Sequence, residues 1–241
     1  DPITWPGDRV KALLPRSLEI AREFRPDLIL YDIFSLEGWE IGRRLGIPYW
    51  SSIPAMIGPF TDREREYLRQ RGVVDPEMEM VSDGLHRPGL LNLIWSYPSV
   101  TPADFQQGRA GDFVFVGNPR GEQRSAKRPK DDVTGIYLSF GTVVMDNLWN
   151  RRQDIREKMR RFIGALAEIW KERPYKVAFA TQGKQVLKAY PENWHVTDRV
   201  DQMAVLAEAD VFITHGGSNS FHEAFSRRVP MVVIPFFGDQ P

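Results

Sequence analysis

Apolar residues in the first half of the chain recur at two spacings, one typical of helices and one typical of buried strands. Helical spacing covers residues 8–24, where Pro15 is expected to kink or interrupt the helix, and residues 37–45, which Gly46 closes. Short apolar runs predict strands at residues 28–31, 47–52 and 113–116. A strand, a helix and a second strand in this order form the repeating unit of a parallel sheet.

The second half alternates more regularly. Residues 118–132 lack apolar periodicity, which predicts a linker between a domain at 1–117 and a domain at 133–241. Strands are predicted at residues 136–140, 176–180, near 195, 211–214 and 231–235, and helices at residues 151–171, 202–207 and 219–227. This alternation predicts a doubly wound α/β domain.

Composition excludes several classes of protein. Among 241 residues, Lys plus Arg and Asp plus Glu number 32 each, so no net charge draws the chain onto nucleic acid or an anionic membrane. The absence of cysteine excludes disulfides and thiolate chemistry and suits the cytoplasm. The longest apolar run, residues 231–237, is far shorter than the roughly 20 residues of a membrane-spanning helix. Both ends of the chain are expected to be truncated.

A diphosphate site is indicated where the strand at residues 211–214 meets the next helix. The first amides of a helix lack intrahelical partners and its dipole places about half a positive charge there, so an anion is favoured. Gly216 and Gly217 allow a phosphate to approach the backbone closely. Glu223, one turn into the helix, is placed to accept hydrogen bonds from ribose. Further candidate donors to the diphosphate are His215, Ser218, Asn219 and Ser220.

Other sites built on a strand, a turn and a helix fit these residues less well. A hydrolase nucleophile elbow needs Gly-x-Ser-x-Gly, and Ser220 stands where its last glycine belongs. Neither a dinucleotide motif nor a P-loop motif is present. No metal is expected, because His215 and His222 lack a third ligand at a recognised spacing. A tight turn followed by Ser218 as a helix cap is the alternative without a ligand.

The spacing of these residues resembles the donor-binding motif of the UDP-glycosyltransferase superfamily, the family 1 glycosyltransferases, especially bacterial macrolide-type and antibiotic-type members. The resembling segments are Gln202-x-x-x-Leu206, Phe212-x-Thr-His215-Gly-Gly-x-Asn-Ser220-x-x-Glu223-Ala224, Val229-Pro230-Met231 and Pro235-x-x-x-Asp239-Gln240-Pro241. The resemblance implies the GT-B fold, with two facing Rossmann-like doubly wound domains, of which the N-terminal one is incomplete. It also implies metal-independent, inverting transfer of a hexose from a UDP- or dTDP-sugar to a small lipophilic acceptor.

The same resemblance implies roles for individual donor-site residues. It implies that Glu223 binds the ribose and that Asp239 and Gln240 bind hydroxyls of the sugar. The diphosphate ligands that it implies are His215, Gly217, Asn219 and Ser220. The run Ser139-Phe-Gly141-Thr142 resembles the family turn that lies against the phosphates. The chain has Arg199-Val200-Asp-Gln202 where the family usually has Trp-x-Pro-Gln, so a guanidinium replaces the indole that stacks on the base, and the identity of the base stays open.

In the first half, Pro26-Asp-Leu-Ile-Leu-Tyr-Asp32 followed by Leu45-Gly-Ile-Pro48 is similar to the family's acceptor domain. The resemblance implies that Asp32 orients a histidine, which deprotonates the acceptor hydroxyl. None of the four histidines, His86, His195, His215 and His222, sits where that base is expected, which is ahead of Asp1. Candidates for an apolar acceptor pocket are Phe34, Trp50 and Phe60, together with Trp39, Met56 and Trp95, although packing in the core is the alternative for most of them.

Two other functions stay open at this point. The chain is in one case a catalytically silent fragment or subunit that binds nucleotide sugars and needs a second chain, which completes the N-terminal domain, to supply the histidine. In the other it is a related enzyme, such as a sugar-nucleotide epimerase or a lipid-linked glycosyltransferase. The expected partners are a nucleotide-sugar donor and a small lipophilic acceptor, and neither nucleic acid nor a membrane is expected.

Overall fold

The computed structural model describes residues 7–32, 35–54, 89–100, 112–117 and 133–236. The chain divides into two compact units, Asp1–Arg120 and Gly121–Pro241. The division falls inside residues 118–132, where the sequence predicts the linker, although these residues themselves lie outside the described ranges. Within the described part of the chain, no helix is long and apolar enough to cross a membrane.

The first unit contains a four-stranded parallel sheet with strand order β1-β2-β3-β4. Its elements are helix α1 (Gly7–Phe24), strand β1 (Ile29–Asp32), helix α2 (Leu36–Leu45), strand β2 (Tyr49–Ile53), strand β3 (Leu91–Ile94), a 3₁₀ turn (Pro98–Val100) and strand β4 (Asp112–Phe115). Gly46 ends α2 as predicted, with φ of 67° and its N–H donated to the carbonyl of Gly42.

Helix α1 is not interrupted at Pro15, contrary to one expectation from the sequence. Leu14, Leu18 and Ala21 are buried at helical spacing and pack against Ile41 of α2. A proline inside a helix costs roughly 3 kcal/mol. Tertiary packing of this apolar face offsets that cost, as it does for most helices in proteins.

Strand β3, which the sequence pattern did not predict, is held by the buried amide of Asn92. Its Nδ2 donates to the carbonyls of Gly89 (3.2 Å) and Asp112 (3.0 Å). Its Oδ1 accepts from the amide of Gly89 (2.9 Å) and the hydroxyl of Ser51 (2.6 Å). One side chain therefore links the middle of β2 with the beginnings of β3 and β4.

The second unit contains a five-stranded parallel sheet with strand order β7-β6-β5-β8-β9. Its strands are β5 (Gly135–Ser139), β6 (Lys176–Ala180), β7 (Trp194–Thr197), β8 (Val211–Thr214) and β9 (Met231–Val233), and its helices are α3 (Gln153–Trp170), α4 (Gln202–Glu208) and α5 (Ser218–Ser226). A π-helix, Val143–Leu148, and a short helical turn, Trp149–Arg151, precede α3, so the helix predicted over residues 151–171 begins at Gln153.

Both faces of this sheet are covered. Leu138 of β5 belongs to one buried cluster with Met159 and Ile163 of α3. The next side chain back, Tyr137, belongs to another, with Leu206 of α4. The prediction of a doubly wound α/β unit is confirmed. The strand order turns back between β5 and β8, and ligands of such sheets bind at the carboxyl ends of the strands at this switch point.

Candidate functional site

The turn between β8 and α5 lies at the switch point. Gly216 adopts φ of 82°, a left-handed conformation that favours glycine, and its amide donates to the hydroxyl of Thr214 at 3.3 Å. Gly217 is the N-cap residue of α5, and the first turn of the helix closes where Phe221 N–H donates to the carbonyl of Gly217. The amides of Ser218, Asn219 and Ser220 precede that bond. They therefore lie at the positive end of the helix dipole, where an anion is favoured.

The side chain of His215 fills the space between this turn and the turn that follows β5. Only 6% of its surface is exposed. A Cβ atom at Gly141 would lie 2.5 Å from Cε1 of His215, and a Cβ atom at Gly217 would lie 2.3 Å from Nε2. The imidazole therefore lies between the turns that follow β5 and β8. The sequence predicted contacts with the phosphates for each of these turns.

The turn Ser139-Phe-Gly-Thr142 begins beside β8, because Ser139 and Thr214 are paired at the carboxyl ends of their strands. Ser139 is buried and Thr142 is exposed. The following π-helix is a rare form that is frequently found at functional sites. Lys184, from the loop after β6, holds it through an ion pair with Asp146 at 3.1 Å. This lysine was not among the residues predicted from the sequence.

Gln202 connects two other predicted site residues. Its Nε2 donates to Glu223 Oε2 at 2.7 Å and to the hydroxyl of Ser220 at 3.2 Å. The Tyr137 hydroxyl donates to Gln202 Oε1 at 3.1 Å, which fixes the orientation of the amide. Burial, and secondarily the negative charge of Glu223, raise the pKa of Tyr137 to about 12 against the lowering effect of a hydrogen bond with Ser139. Tyr137 therefore keeps its proton at neutral pH.

Three of these polar side chains are nearly inaccessible, with exposures of 1% for Tyr137, 9% for Ser220 and 4% for Glu223. A carboxylate so deeply buried requires hydrogen bonds, because its desolvation is costly. Gln202 supplies one of them. The sequence predicted contacts of Gln202, Ser220 and Glu223 with a donor but not their contacts with one another, since side chains so far apart in sequence give no local signal.

Arg199 is exposed just beyond the carboxyl end of β7. Its carbonyl lies 3.4 Å from the hydroxyl of Thr197. Val200 is half-buried and packs against the core cluster that contains Tyr137. Asp201 accepts hydrogen bonds from the amides at 203 and 204 and so caps α4. These residues lie at the same edge of the sheet as the turn after β8.

His222 has a structural role. It is 3% exposed, and its Nδ1 lies 2.7 Å from the carbonyl of Ser218, which accepts and therefore requires a proton on Nδ1. Burial lowers the pKa of His222, although the bond to Ser218 opposes this shift. Among the residues that the structure describes, no three His, Cys, Asp or Glu side chains form a group suited to a metal ion.

In the first unit, Asp32 ends β1 and is exposed, and its carbonyl accepts from the amide of Ser35 at 2.7 Å. Ser52, its neighbour on β2, accepts a hydrogen bond from Trp95 Nε1 at 2.7 Å. Trp50 is half-buried on β2. Trp39 packs edge-on against Tyr49, under the guanidinium of Arg43, so packing is the observed role of Trp39, whereas Trp95 contributes its hydrogen bond to Ser52. Predicted site residues outside the described ranges are Phe34, Met56, Phe60, Asp239 and Gln240.

A groove of about 470 Å³ lies elsewhere in the second unit, between α3 and residues 187–191. Lys171 and Leu187 are among its lining residues, and none of the predicted donor residues is. Both lining segments lead into the amino ends of strands β6 and β7, the edge opposite the switch point. The candidate site therefore lies at the carboxyl ends of the strands, away from this groove.

Comparison with solved structures defines the fold class, which is the GT-B fold found in glycosyltransferases. The glycosyltransferase of kitacinnamycin superposes with a TM-score of 0.72 at 25% sequence identity, over 97% of this chain and 64% of its own. Residues 120–241 match the family model of UDP-glucoronosyl and UDP-glucosyl transferases. The chain belongs to this family, and the resemblance seen in the sequence is confirmed.

Two relatives align with nearly the whole chain. The NDP-glycosyltransferase YjiC of Bacillus subtilis is 28% identical over 95% of this chain and 59% of its own length. The oleandomycin glycosyltransferase of Streptomyces antibioticus is 27% identical over 98% of this chain and 58% of its own length. The chain thus spans somewhat less than 60% of the length of each of these relatives.

Proposed function

We propose that this chain binds the donor in a glycosyltransferase that moves a hexose from a UDP- or dTDP-sugar to a hydroxyl of a small lipophilic acceptor. The observation that supports this most strongly is the convergence, at one switch point, of the turn after β5, the turn before α5 and the Gln202–Glu223 pair. Membership of the UDP-glucoronosyl and UDP-glucosyl transferase family supports the same class of donor.

The diphosphate is proposed to lie against the amino end of α5. Backbone amides from Gly216 onward and the helix dipole stabilise the leaving diphosphate as the sugar departs, so the transfer needs no metal ion. Thr142 contributes its hydroxyl from the opposite turn. The side-chain donors in this proposal are His215, Ser218, Asn219 and Ser220.

Glu223 is proposed to accept hydrogen bonds from the ribose, with its carboxylate held in position by the hydrogen bond from Gln202 to Oε2. The planar guanidinium of Arg199 stacks on the base. Asp239 and Gln240 bind hydroxyls of the sugar. This division assigns each part of the donor to a different strand end of one sheet.

The acceptor is proposed to bind in the first unit, beside Asp32. That carboxylate orients a histidine, which deprotonates the acceptor hydroxyl as it attacks the anomeric carbon with inversion. Trp50, Phe34 and Phe60 line the apolar acceptor pocket. The relatives named for oleandomycin and kitacinnamycin support a natural-product acceptor, and a cytoplasmic location fits the cysteine-free composition.

A second candidate function is a silent nucleotide-sugar-binding subunit whose partner chain supplies the base. It is favoured by the positions of the described histidines, because His195, His215 and His222 all belong to the second unit. A transfer assay with UDP-glucose and a flavonoid or macrolide panel separates the two functions. Product formed by the purified chain alone contradicts the silent subunit.

Isothermal titration of the purified chain with UDP and dTDP tests donor binding. We expect saturable binding of at least one nucleotide, and a loss of about tenfold in affinity for Asn219→Ala, because one hydrogen bond to a charged group disappears. Gln153→Ala, which removes an exposed amide at the start of α3, is the control and should bind like the unmodified chain. Absence of binding for both nucleotides contradicts the proposal.

A further inference from the structure

The imidazole of His215 occupies the space of two absent side chains, one in each of the turns that meet at the switch point. We propose that Gly141 and Gly217 are positioning residues, which act on the donor through His215 by leaving room for its ring. This inference rests on the proposed function, in which His215 binds the diphosphate. It changes the role expected for Gly217, which the sequence associated with close approach of a phosphate.

The backbone of Gly217 does not require glycine. Its φ of −59° and ψ of 140° are open to any L-residue. A Cβ atom there would nevertheless lie 2.3 Å from Nε2 and 2.7 Å from Cε1 of His215, where distances under 3.0 Å force a displacement. The ring is the obstacle to a side chain at this position.

Gly141 combines the same obstacle with a backbone requirement. Its φ is 67°, and its Cβ atom would lie 2.5 Å from Cε1 and 2.9 Å from Nε2 of His215. Gly216 has φ of 82°, which by itself favours glycine. The Cε1–Nε2 edge of one buried ring is therefore held from two sides, by a residue after β5 and a residue after β8.

A double-mutant cycle on Gly217 and His215 separates action through the ring from direct action on the ligand. Gly217→Ala should weaken UDP binding about tenfold, by displacing a hydrogen-bonding ring from a charged ligand. In the His215→Ala background the same change should cost nothing, because the smaller residue leaves room for the new methyl group. Gly164→Ala on α3 is the control, since its Cβ atom would meet only Leu187 Cδ2, at 3.8 Å.

Thermal unfolding of the unmodified chain, the two single variants and the double variant tests the steric contact independently of ligand binding. Gly217→Ala should lower the melting temperature by a few degrees with His215 present and leave it unchanged in the His215→Ala background. The inference is wrong if Gly217→Ala binds UDP normally, or if its effects on affinity and melting are the same in both backgrounds. If the unmodified chain does not bind UDP, the proposed function fails, and melting still decides whether the ring and the glycine are coupled.

Discussion

The two units share a parallel-sheet architecture but differ in what stands at the carboxyl ends of their strands. In the second unit, α5 opens beside the turn after β5, and Gln202 joins Ser220 to Glu223 at the same edge. In the first unit, the described strand ends carry Asp32 next to Ser52, which Trp95 already engages. The carboxyl ends of the second sheet therefore carry the proposed donor site, whereas Asp32 is the one carboxylate at the described carboxyl ends of the first sheet.

The two sheets are stabilised by comparable buried hydrogen bonds. We therefore expect the functional difference between the two units to lie at the carboxyl ends of their strands. Asp210 Oδ2 accepts from the amides of Thr134 (3.0 Å) and Gly135 (2.8 Å) and so ties the amino ends of β5 and β8. Asn92 performs the equivalent task in the first unit with four hydrogen bonds. Buried polar groups of this kind maintain the sheet without contacting a ligand.

Among the substitutions that test the difference between the two units, Glu223→Ala is expected to change donor binding most. Because the carboxylate is proposed to accept two ribose hydroxyls, its removal should weaken UDP binding by about a hundredfold, measured by isothermal titration. The control is Glu208→Ala, which removes an exposed carboxylate at the end of α4. Should Glu223→Ala fold poorly, Glu223→Gln keeps its volume and should still lose about tenfold. Equal affinities for Glu223→Gln, Glu208→Ala and the unmodified chain contradict the ribose role.

Gln202→Leu should lower the free energy of unfolding by about 2 kcal/mol, because it leaves the buried Glu223 carboxylate and the Tyr137 hydroxyl without the bonds that Gln202 makes. Urea denaturation measures the change. Gln153→Leu, at an exposed position, should change stability by less than about 0.5 kcal/mol. A Gln202→Leu protein as stable as the control shows that the network does not hold the site.

The pH dependence of stability offers a smaller effect that also belongs to the second unit. Burial keeps His222 neutral in the folded chain and lowers its pKa, whereas the unfolded chain takes up a proton near 6.5. Its contribution to stability is therefore complete above 6.5 and is lost as the pH falls from there towards the lowered folded value.

Urea denaturation at about pH 7.5 and about pH 5.5 checks this dependence. His222→Gln, which retains a donor for the Ser218 carbonyl, should lose less stability between the two conditions than the unmodified chain. His195→Gln removes an exposed histidine of β7 and should behave like the unmodified chain. Parallel losses in all three proteins contradict the neutral, buried state of His222.

The smallest expected effect is that of Asp32→Asn on donor binding. This exposed carboxylate belongs to the first unit, so its replacement should change the affinity for UDP by less than about twofold. Asp27→Asn, also exposed and just ahead of β1, is the matched control. A tenfold loss of UDP affinity for Asp32→Asn, without a loss for Asp27→Asn, would contradict the assignment of donor binding to the second unit alone.

The sequence predicted the second sheet well because its buried strands are short apolar runs separated by amphipathic helices. Strand β3 escaped prediction because Asn92 interrupts its apolar pattern, and only the three-dimensional structure reveals that neighbouring strands satisfy that amide. The π-helix after β5 was not predicted, because it lies ahead of the predicted helix 151–171 and i to i+5 bonding leaves no periodic signal in six residues.

The candidate site, like the fold, could be predicted only in part from the sequence. The turn before α5 is contiguous, so its residue types and spacing sufficed to predict an anion site. The contact of Gly141 with His215 and the bond from Gln202 to Glu223 join segments that are remote in sequence. They depend on the order of strands in the sheet, which local patterns do not specify.

A ¹⁵N-resolved NMR titration of the chain with UDP tests the central claim most directly, because it reports on every assigned amide at once. We expect the largest shifts at Gly141 and from Gly216 to Ser220, and unchanged amides in β1 and β2. Shifts confined to the groove between α3 and residues 187–191, or no shifts at all, would contradict a donor site at the switch point.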